Sequence, residues 1–147
     1  MPKIFQSEMA KRRETPPTGY VHGARMVAIS TFTFTEDFTA ADDVLELGML
    51  PAKTRCVGAR LIGENTGATD ATLGLMEGEF GDPDPTRTVT ADLLDGEAVN
   101  NAEPAADTLD CLNIPVSDYH RAIGVTLSAN VTAGANKKLT LVLEYIH

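Results

Sequence analysis

Hydrophobic and polar residues alternate along most of the chain after residue 25, which is typical of β-strands with one buried face. The clearest case begins at Met26, where Phe32 and Phe34 share one face and β-branched residues fill the other. The same period predicts further strands over residues 44–49, 54–62, 71–79, 86–91, 112–116, 123–131 and 139–145. Turns are predicted between them at Leu50–Lys53, Gly81–Pro85 and Thr132–Asn136.

The number and spacing of these strands predict the fold class. Residues 91–101 fit a helical turn and a loop equally, and residues 100–108 are predicted to be a surface connection. No segment has the length and period of a long helix. Seven or eight short strands separated by turns predict an all-β chain, an antiparallel β-sandwich with jelly-roll-like connections.

The alternation also assigns side chains to faces. Glu46 is predicted to point outward from its strand, and Cys56 is predicted to lie on the face opposite Val57. The last strand is apolar on both faces, so it should lie centrally in a sheet or contact a partner subunit. In the case of a partner contact, its outward residues Val142 and Ile146 are predicted to lie in the subunit interface.

Charge is unevenly distributed along the chain. Residues 1–25 hold five basic and two acidic side chains, whereas residues 26–147 hold seven basic and nineteen acidic ones. Pro16 and Pro17 favour an extended backbone in the basic part. We therefore expect residues 1–25 to form an extended basic arm outside the core and residues 26–147 to form the sandwich domain.

The arm has two interpretations. It is either a solvated terminus without a role, or a segment that docks on an acidic surface, for example that of a neighbouring copy. In the second case the residues expected to make this contact are Lys3, Ile4, Phe5, Lys11, Arg12, Arg13 and Arg25.

Composition excludes several classes of function. A chain of 147 residues is expected to form one domain. Its formal net charge of −9 argues against nucleic acid as a partner. There is no apolar run long enough to cross a membrane, and the N-terminus does not resemble a signal peptide.

Candidate chemistry is sparse. His22, His120 and His147 are far apart in sequence and lack the paired spacing of a jelly-roll metal site. Neither a nucleophile elbow nor a phosphate-binding loop is present. We therefore expect a protein without enzymatic activity, cofactor or catalytic metal.

Two further sets of residues have simple interpretations. Cys56 and Cys111 are not at metal-binding spacing, and a disulfide between them is improbable in a protein that is not secreted. They are expected to be small buried residues. The acidic loop pairs Asp42-Asp43 and Asp82/Asp84 are expected to be solvated, with a Ca²⁺ site as the alternative.

The chain resembles the small head decoration, or cement, proteins of tailed bacteriophages. The resemblance rests on the stretch Asp43–Leu61, in which an apolar strand ends in a proline-containing turn and the next strand carries Val57-Gly58-Ala59. The Gly81-Asp82-Pro83 turn and the final Leu139–Tyr145 strand are similar as well. In outline it covers residues 26–146.

The resemblance implies a non-enzymatic virion protein on the exterior of an icosahedral capsid, assembled in the host cytoplasm. It implies a homotrimer at three-fold and quasi-three-fold positions that binds the major capsid protein and stabilises the shell. The alternative is a carbohydrate- or receptor-binding sandwich of a phage fibre. The scarcity of aromatic residues, with no Trp and three Tyr, argues against that alternative.

Overall fold

The computed structural model describes residues 2–7, 10–11 and 24–147, and it folds them into two packed β-sheets. Strands β1 to β4 are Ile4–Gln6, Met26–Thr33, Val44–Leu50 and Arg55–Glu64. Strands β5 and β6 are Asp70–Met76 and Leu94–Ala98, and helix α1 is Thr108–Asn113. Strands β7 and β8, Arg121–Leu127 and Lys138–Ile146, complete the described part of the chain.

The two sheets confirm the predicted all-β sandwich. Sheet A has the strand order β1-β3-β7-β5-β6, and sheet B has the order β2-β8-β4. Neighbouring strands are antiparallel except for β1 and β3, which are parallel. Strand β8 lies between β2 and β4, so its apolar character on both faces corresponds to a central position.

The core lies between the sheets and is aromatic at one end. Phe5, Phe32, Phe34 and Phe38 form a chain of ring contacts with centroid separations of 5.2–6.0 Å. Three of the four ring pairs are edge-on, the arrangement that the quadrupole of an aromatic ring favours. Leucines from both sheets fill the rest of the core.

The first residues of the chain differ from the expectation of an arm outside the core. Residues 4–6 are extended, as predicted, but they pair with β3, and Phe5 is buried in the aromatic cluster. Ser7 and Ala10 are also buried. These residues therefore belong to the sandwich rather than to an arm outside it, because Phe5 adds apolar burial that a solvated arm would forgo.

Three predicted elements differ in the structure. Residues 112–116, predicted as a strand, contain the end of α1 and a loop, because Pro115 and Asn113 end regular structure there. In residues 86–91 a single bridge joins Val89 to Met76 in place of a strand. The undecided segment 91–101 contains β6.

A β-bulge between Cys56 and Gly58 corrects the predicted faces of β4. The extra residue turns Cys56 to the interior together with Ala59, while Val57 is only half-buried. A strict two-residue period cannot anticipate an inserted residue of this kind.

Glu46 also differs from the expectation, since it is fully buried although it lies on the outer face of sheet A. The β5–β6 connection, residues 77–93, which we call the cover loop, folds over that face. Arg87 Nη1 lies 2.6 Å from Glu46 Oε2, and both side chains are almost completely buried. Gly81 N donates to the same carboxylate, and Gln6 Nε2 donates to its Oε1 at 2.9 Å.

A row of glycines lets the cover loop approach the sheet. Glu46, Gly124 and Gly74 are register partners across β3, β7 and β5. A Cβ at Gly74 would lie 1.7 Å from Thr90 O, and a Cβ at Gly124 would lie 2.7 Å from Val89 Cγ2. The absence of side chains in this row leaves space for the loop, and Arg87 can then reach the carboxylate at its end.

We predict that Arg87→Met lowers the free energy of unfolding by about 3–5 kcal/mol, because it leaves a carboxylate buried without its cation. The measurement is equilibrium unfolding in urea. The matched control is Arg25→Met, which breaks the exposed Arg25–Glu144 pair and should cost about 0–1 kcal/mol. Equal losses in the two variants would contradict the importance of the buried pair.

We also predict that Gly74→Ala destabilises the chain by about 1–3 kcal/mol, because the new methyl group collides with the backbone of the cover loop. Gly134→Ala is the control, since its Cβ would meet only the flexible Lys137 side chain. That variant should be unchanged or stabilised by up to about 1 kcal/mol. Thermal unfolding of both variants gives the comparison.

Candidate interaction surface

Among the residues that the structure describes, none covers the outer face of sheet B, which is partly apolar. Ile29, Val142 and Arg60 are register partners in one row across the three strands, and Thr31, Thr140 and Ile62 form the next row. Ile29 is 61% exposed and Val27 is 43% exposed, values that are high for such side chains. We call Val27, Ile29, Ile62 and Val142 the sheet B patch.

The two predicted interface residues occupy different places in this face. Val142 lies at its centre but is only 9% exposed, because its neighbours on β2 and β4 cover its sides. Ile146 is half-buried and pairs with Arg55 at the end of the strand. Ile29 offers far more apolar surface than either, and its outward position was visible in the alternation of the second strand.

A groove of about 380 Å³ runs beside the patch, between sheet B and the segment before α1. Arg25, Arg60, Val142 and Glu144 line it. Gly58 makes room for the Glu144 carboxylate, since a Cβ there would lie 2.7 Å from Glu144 Oε2. Arg25 Nη1 pairs with that oxygen at 3.3 Å, so the groove carries charges of both signs next to apolar surface.

The two edges of sheet B are protected differently. Residues 102–106 cap the free edge of β4 through backbone bonds from Leu61 N to Pro104 O, from Gly63 N to Ala102 O and from Ala106 N to Ala59 O. Within the described residues β2 pairs with β8 alone. Since β2 contains no charged residue, it lacks the usual protection of an edge strand.

The predicted arm residues are not brought together at one site. Lys3 Nζ lies 5.9 Å from the centre of the Phe5 ring, and Lys3 N donates to Asp43 Oδ1. Ile4 and Phe5 belong to β1, and Lys11 is exposed beyond the turn that follows. Arg25 lies at the groove, whereas Arg12 and Arg13 lie outside the described residues.

A second group of exposed apolar side chains lies on α1 and the loop after it. Its members are Leu109, Leu112, Val116 and Tyr119. Within the described residues Tyr119 is the one exposed tyrosine, because Tyr145 is buried. Tyr20 lies outside the described residues. One isolated ring does not form a stacking platform.

The polar residues singled out in the sequence serve local structure. His120 Nδ1 accepts a hydrogen bond from Ala52 N at 3.0 Å. Asp84 accepts from the backbone and hydroxyl of Thr86, and these bonds lower the pKa of its carboxyl group. Asp43 differs from the expectation of a solvated side chain, because it is buried and accepts hydrogen bonds from Thr39 N and Lys3 N. The described residues contain no cluster of metal-ligating side chains, and no helix among them is long and apolar enough to span a membrane.

The fold of the chain resembles that of chains in solved phage capsids. Over 98% of its length, the chain superposes on 97% of a chain from the capsid of Ralstonia phage GP4, with a TM-score of 0.86 and 27% identity. This chain is built like a phage capsid protein. A chain of the cyanophage Pam1 capsid matches with a TM-score of 0.57 and 18% identity, covering 90% of this chain and 91% of the other.

A third match is a chain from the acid-stable capsid of Helicobacter pylori bacteriophage KHP30, with a TM-score of 0.53 and 17% identity over 86% of this chain and 90% of that one. At these identities the second and third matches show a common fold. No family model and no curated protein matches the sequence.

Proposed function

We propose that the chain is a decoration protein that binds the exterior of an icosahedral phage capsid and stabilises it, without enzymatic activity. The observation that carries this proposal is the end-to-end similarity to a chain of the Ralstonia phage GP4 capsid. The protein is assembled onto the shell in the host cytoplasm and remains in the virion, with the major capsid protein as its partner.

The architecture supports this role. A protein that bridges shell subunits needs a rigid body and contact surfaces rather than converging catalytic groups. The buried Arg87–Glu46 pair and the covered face of sheet A supply rigidity. The open face of sheet B and the exposed side chains of the α1 segment supply contact surface.

The proposed oligomer is a homotrimer in which the sheet B patch contacts a neighbouring copy. Ile29 and Val27 contribute apolar area, and Val142 and Ile146 extend it along β8. A closed ring uses the same contact three times, which suits a patch of modest size.

The proposed contact with the shell uses the basic residues near the N-terminus. Lys11, Arg12 and Arg13 lie a few residues beyond the end of the anchored strand β1. Opposite charge on the capsid would attract this segment, and repetition over the lattice would raise the overall affinity through avidity.

We predict a native mass of about 47 kDa by light scattering, three times the 15.7 kDa of one chain. Ile29→Glu should reduce this mass to that of a monomer, because it places a charge at the most exposed apolar side chain of the sheet B patch. Leu109→Glu, at a similarly exposed leucine outside sheet B, is the control and should remain trimeric. An Ile29→Glu variant that is still a trimer would exclude the patch as the interface.

The decisive experiment is co-sedimentation of the purified chain with shells from phage that lack its gene. The wild-type chain should bind and raise the temperature at which the shells open. Arg12→Glu/Arg13→Glu should weaken binding about tenfold or more, through the loss of long-range attraction.

The control for charge is Lys53→Glu/Lys137→Glu, which changes the net charge equally at other surface positions. It should bind like the wild type. Deleting residues 1–25 is not a suitable test, because Phe5 would be lost from the core. Failure of the wild-type chain to bind the shells would overturn the decoration role.

A further inference from the structure

Strand β6 contains an irregularity at Asp95 and Gly96. The register of β6 against β5 shifts at this point, so that these two residues together lie opposite Thr72 alone. This arrangement is a β-bulge, in which the ladder of hydrogen bonds is locally interrupted. Gly96 has a φ of 69°, in the left-handed region that glycine enters without steric cost.

We propose that Asp95 is a site of spontaneous modification, at which the peptide bond to Gly96 is transferred from the α-carboxyl to the β-carboxyl group of the aspartate. The product is an isoaspartyl residue. The reaction involves this chain and water alone, so the proposal does not rest on the proposed function.

The rearrangement has two steps that balance. In the first, the backbone nitrogen of Gly96 attacks Asp95 Cγ, a carboxyl oxygen leaves as water, and a five-membered succinimide ring forms. In the second, water opens the ring at either of its two carbonyl carbons. Opening at Cγ restores aspartate, and opening at the main-chain carbonyl gives isoaspartate. The water lost in the first step is regained in the second, and nothing is oxidised or reduced.

The sequence favours this reaction at one position. Asp95 is the only aspartate of the chain that is followed by glycine. A side chain on the following residue hinders the approach of its nitrogen to Cγ, and glycine has no Cβ to do so. Asp82 and Asp84 precede prolines, whose nitrogen carries no hydrogen to be lost on ring closure.

The structure leaves this position accessible. Residues 95–98 of β6 are all exposed, and a Cβ built on Gly96 would have no atom within 4 Å. Within the described residues, β6 pairs with β5 alone, and the Asp95 carboxylate has no hydrogen bond or ion pair. No packed neighbour among these residues therefore has to move when the Asp95 side chain folds back onto the main chain.

Two nearby aspartates show the opposite situation. Asp92 Oδ2 accepts hydrogen bonds from Leu75 N, at 2.9 Å, and from Thr90 Oγ1, so its carboxylate is held away from the following nitrogen. Asp70 is exposed, but it lies in β5 between two neighbouring strands, and the residue that follows it, Ala71, is buried. Both serve as internal comparisons for Asp95.

The fold can also accommodate the product. An isoaspartyl link lengthens the main chain by one methylene group, which would disrupt a regular central strand. Strand β6 lies at an edge of sheet A, and its ladder is already interrupted at this point. The modification can therefore accumulate in the folded chain without opening the core.

The test compares the full-length chain in its native state with the same chain unfolded in urea, both incubated at neutral pH and physiological temperature. Peptide mapping locates isoaspartate, because its peptide has an unchanged mass, a different elution time and resistance to a protease that cleaves before aspartate. We expect the native chain to form isoaspartate at position 95 within about tenfold of the unfolded rate, since exposed edge segments open at little cost in free energy.

Two variants control for the chemistry. Asp95→Glu keeps the charge but would require a larger, six-membered ring, so it should give no rearranged peptide at this position. Asp95→Asn should form the same succinimide with loss of ammonia, which the mass of the product records. A native rate below the tenfold range, or as much isoaspartate at Asp70 as at Asp95, would overturn the proposal. The wild-type comparison decides this even if a variant does not fold.

Discussion

A carboxylate that is buried beneath a loop organises one side of this molecule. Glu46 receives the guanidinium of Arg87, the backbone of Gly81 and the side chain of Gln6. These partners come from the cover loop and from β1, so one side chain on β3 joins two otherwise separate segments to sheet A. Removing a charge from water costs free energy. The ion pair and the hydrogen bonds of these partners offset that cost and stabilise the buried Glu46 carboxylate.

The two sheets consequently present different outer faces. On sheet A, Gly74 and Gly124 admit the cover loop, and the face becomes part of the interior. On sheet B the corresponding face carries Ile29 and Arg60, and no described segment covers it. The chain thus completes one half of its sandwich by itself and leaves the other half available for contact, a division of roles suited to a protein that works in an assembly.

The sequence predicted the regular part of the fold because burial on one face imposes a two-residue period, as in β2 and β8. It missed features that depend on distant residues. The burial of Glu46 requires a loop about forty residues further along, and the inward turn of Cys56 requires a bulge. The exposed side chain of Ile29 could be predicted from alternation, but the Ile29–Val142–Arg60 row required the strand order.

The anchoring of Phe5 changes what the basic segment can do. Because β1 is fixed to an edge of sheet A and β2 to an edge of sheet B, residues 12–23 connect two fixed strands and are not a free terminus. Twelve residues span at most about 40 Å when fully extended, and a segment held at both ends reaches outward by no more than about half of that. In the proposed function, contact through Arg12 and Arg13 therefore requires a partner that lies close to the body.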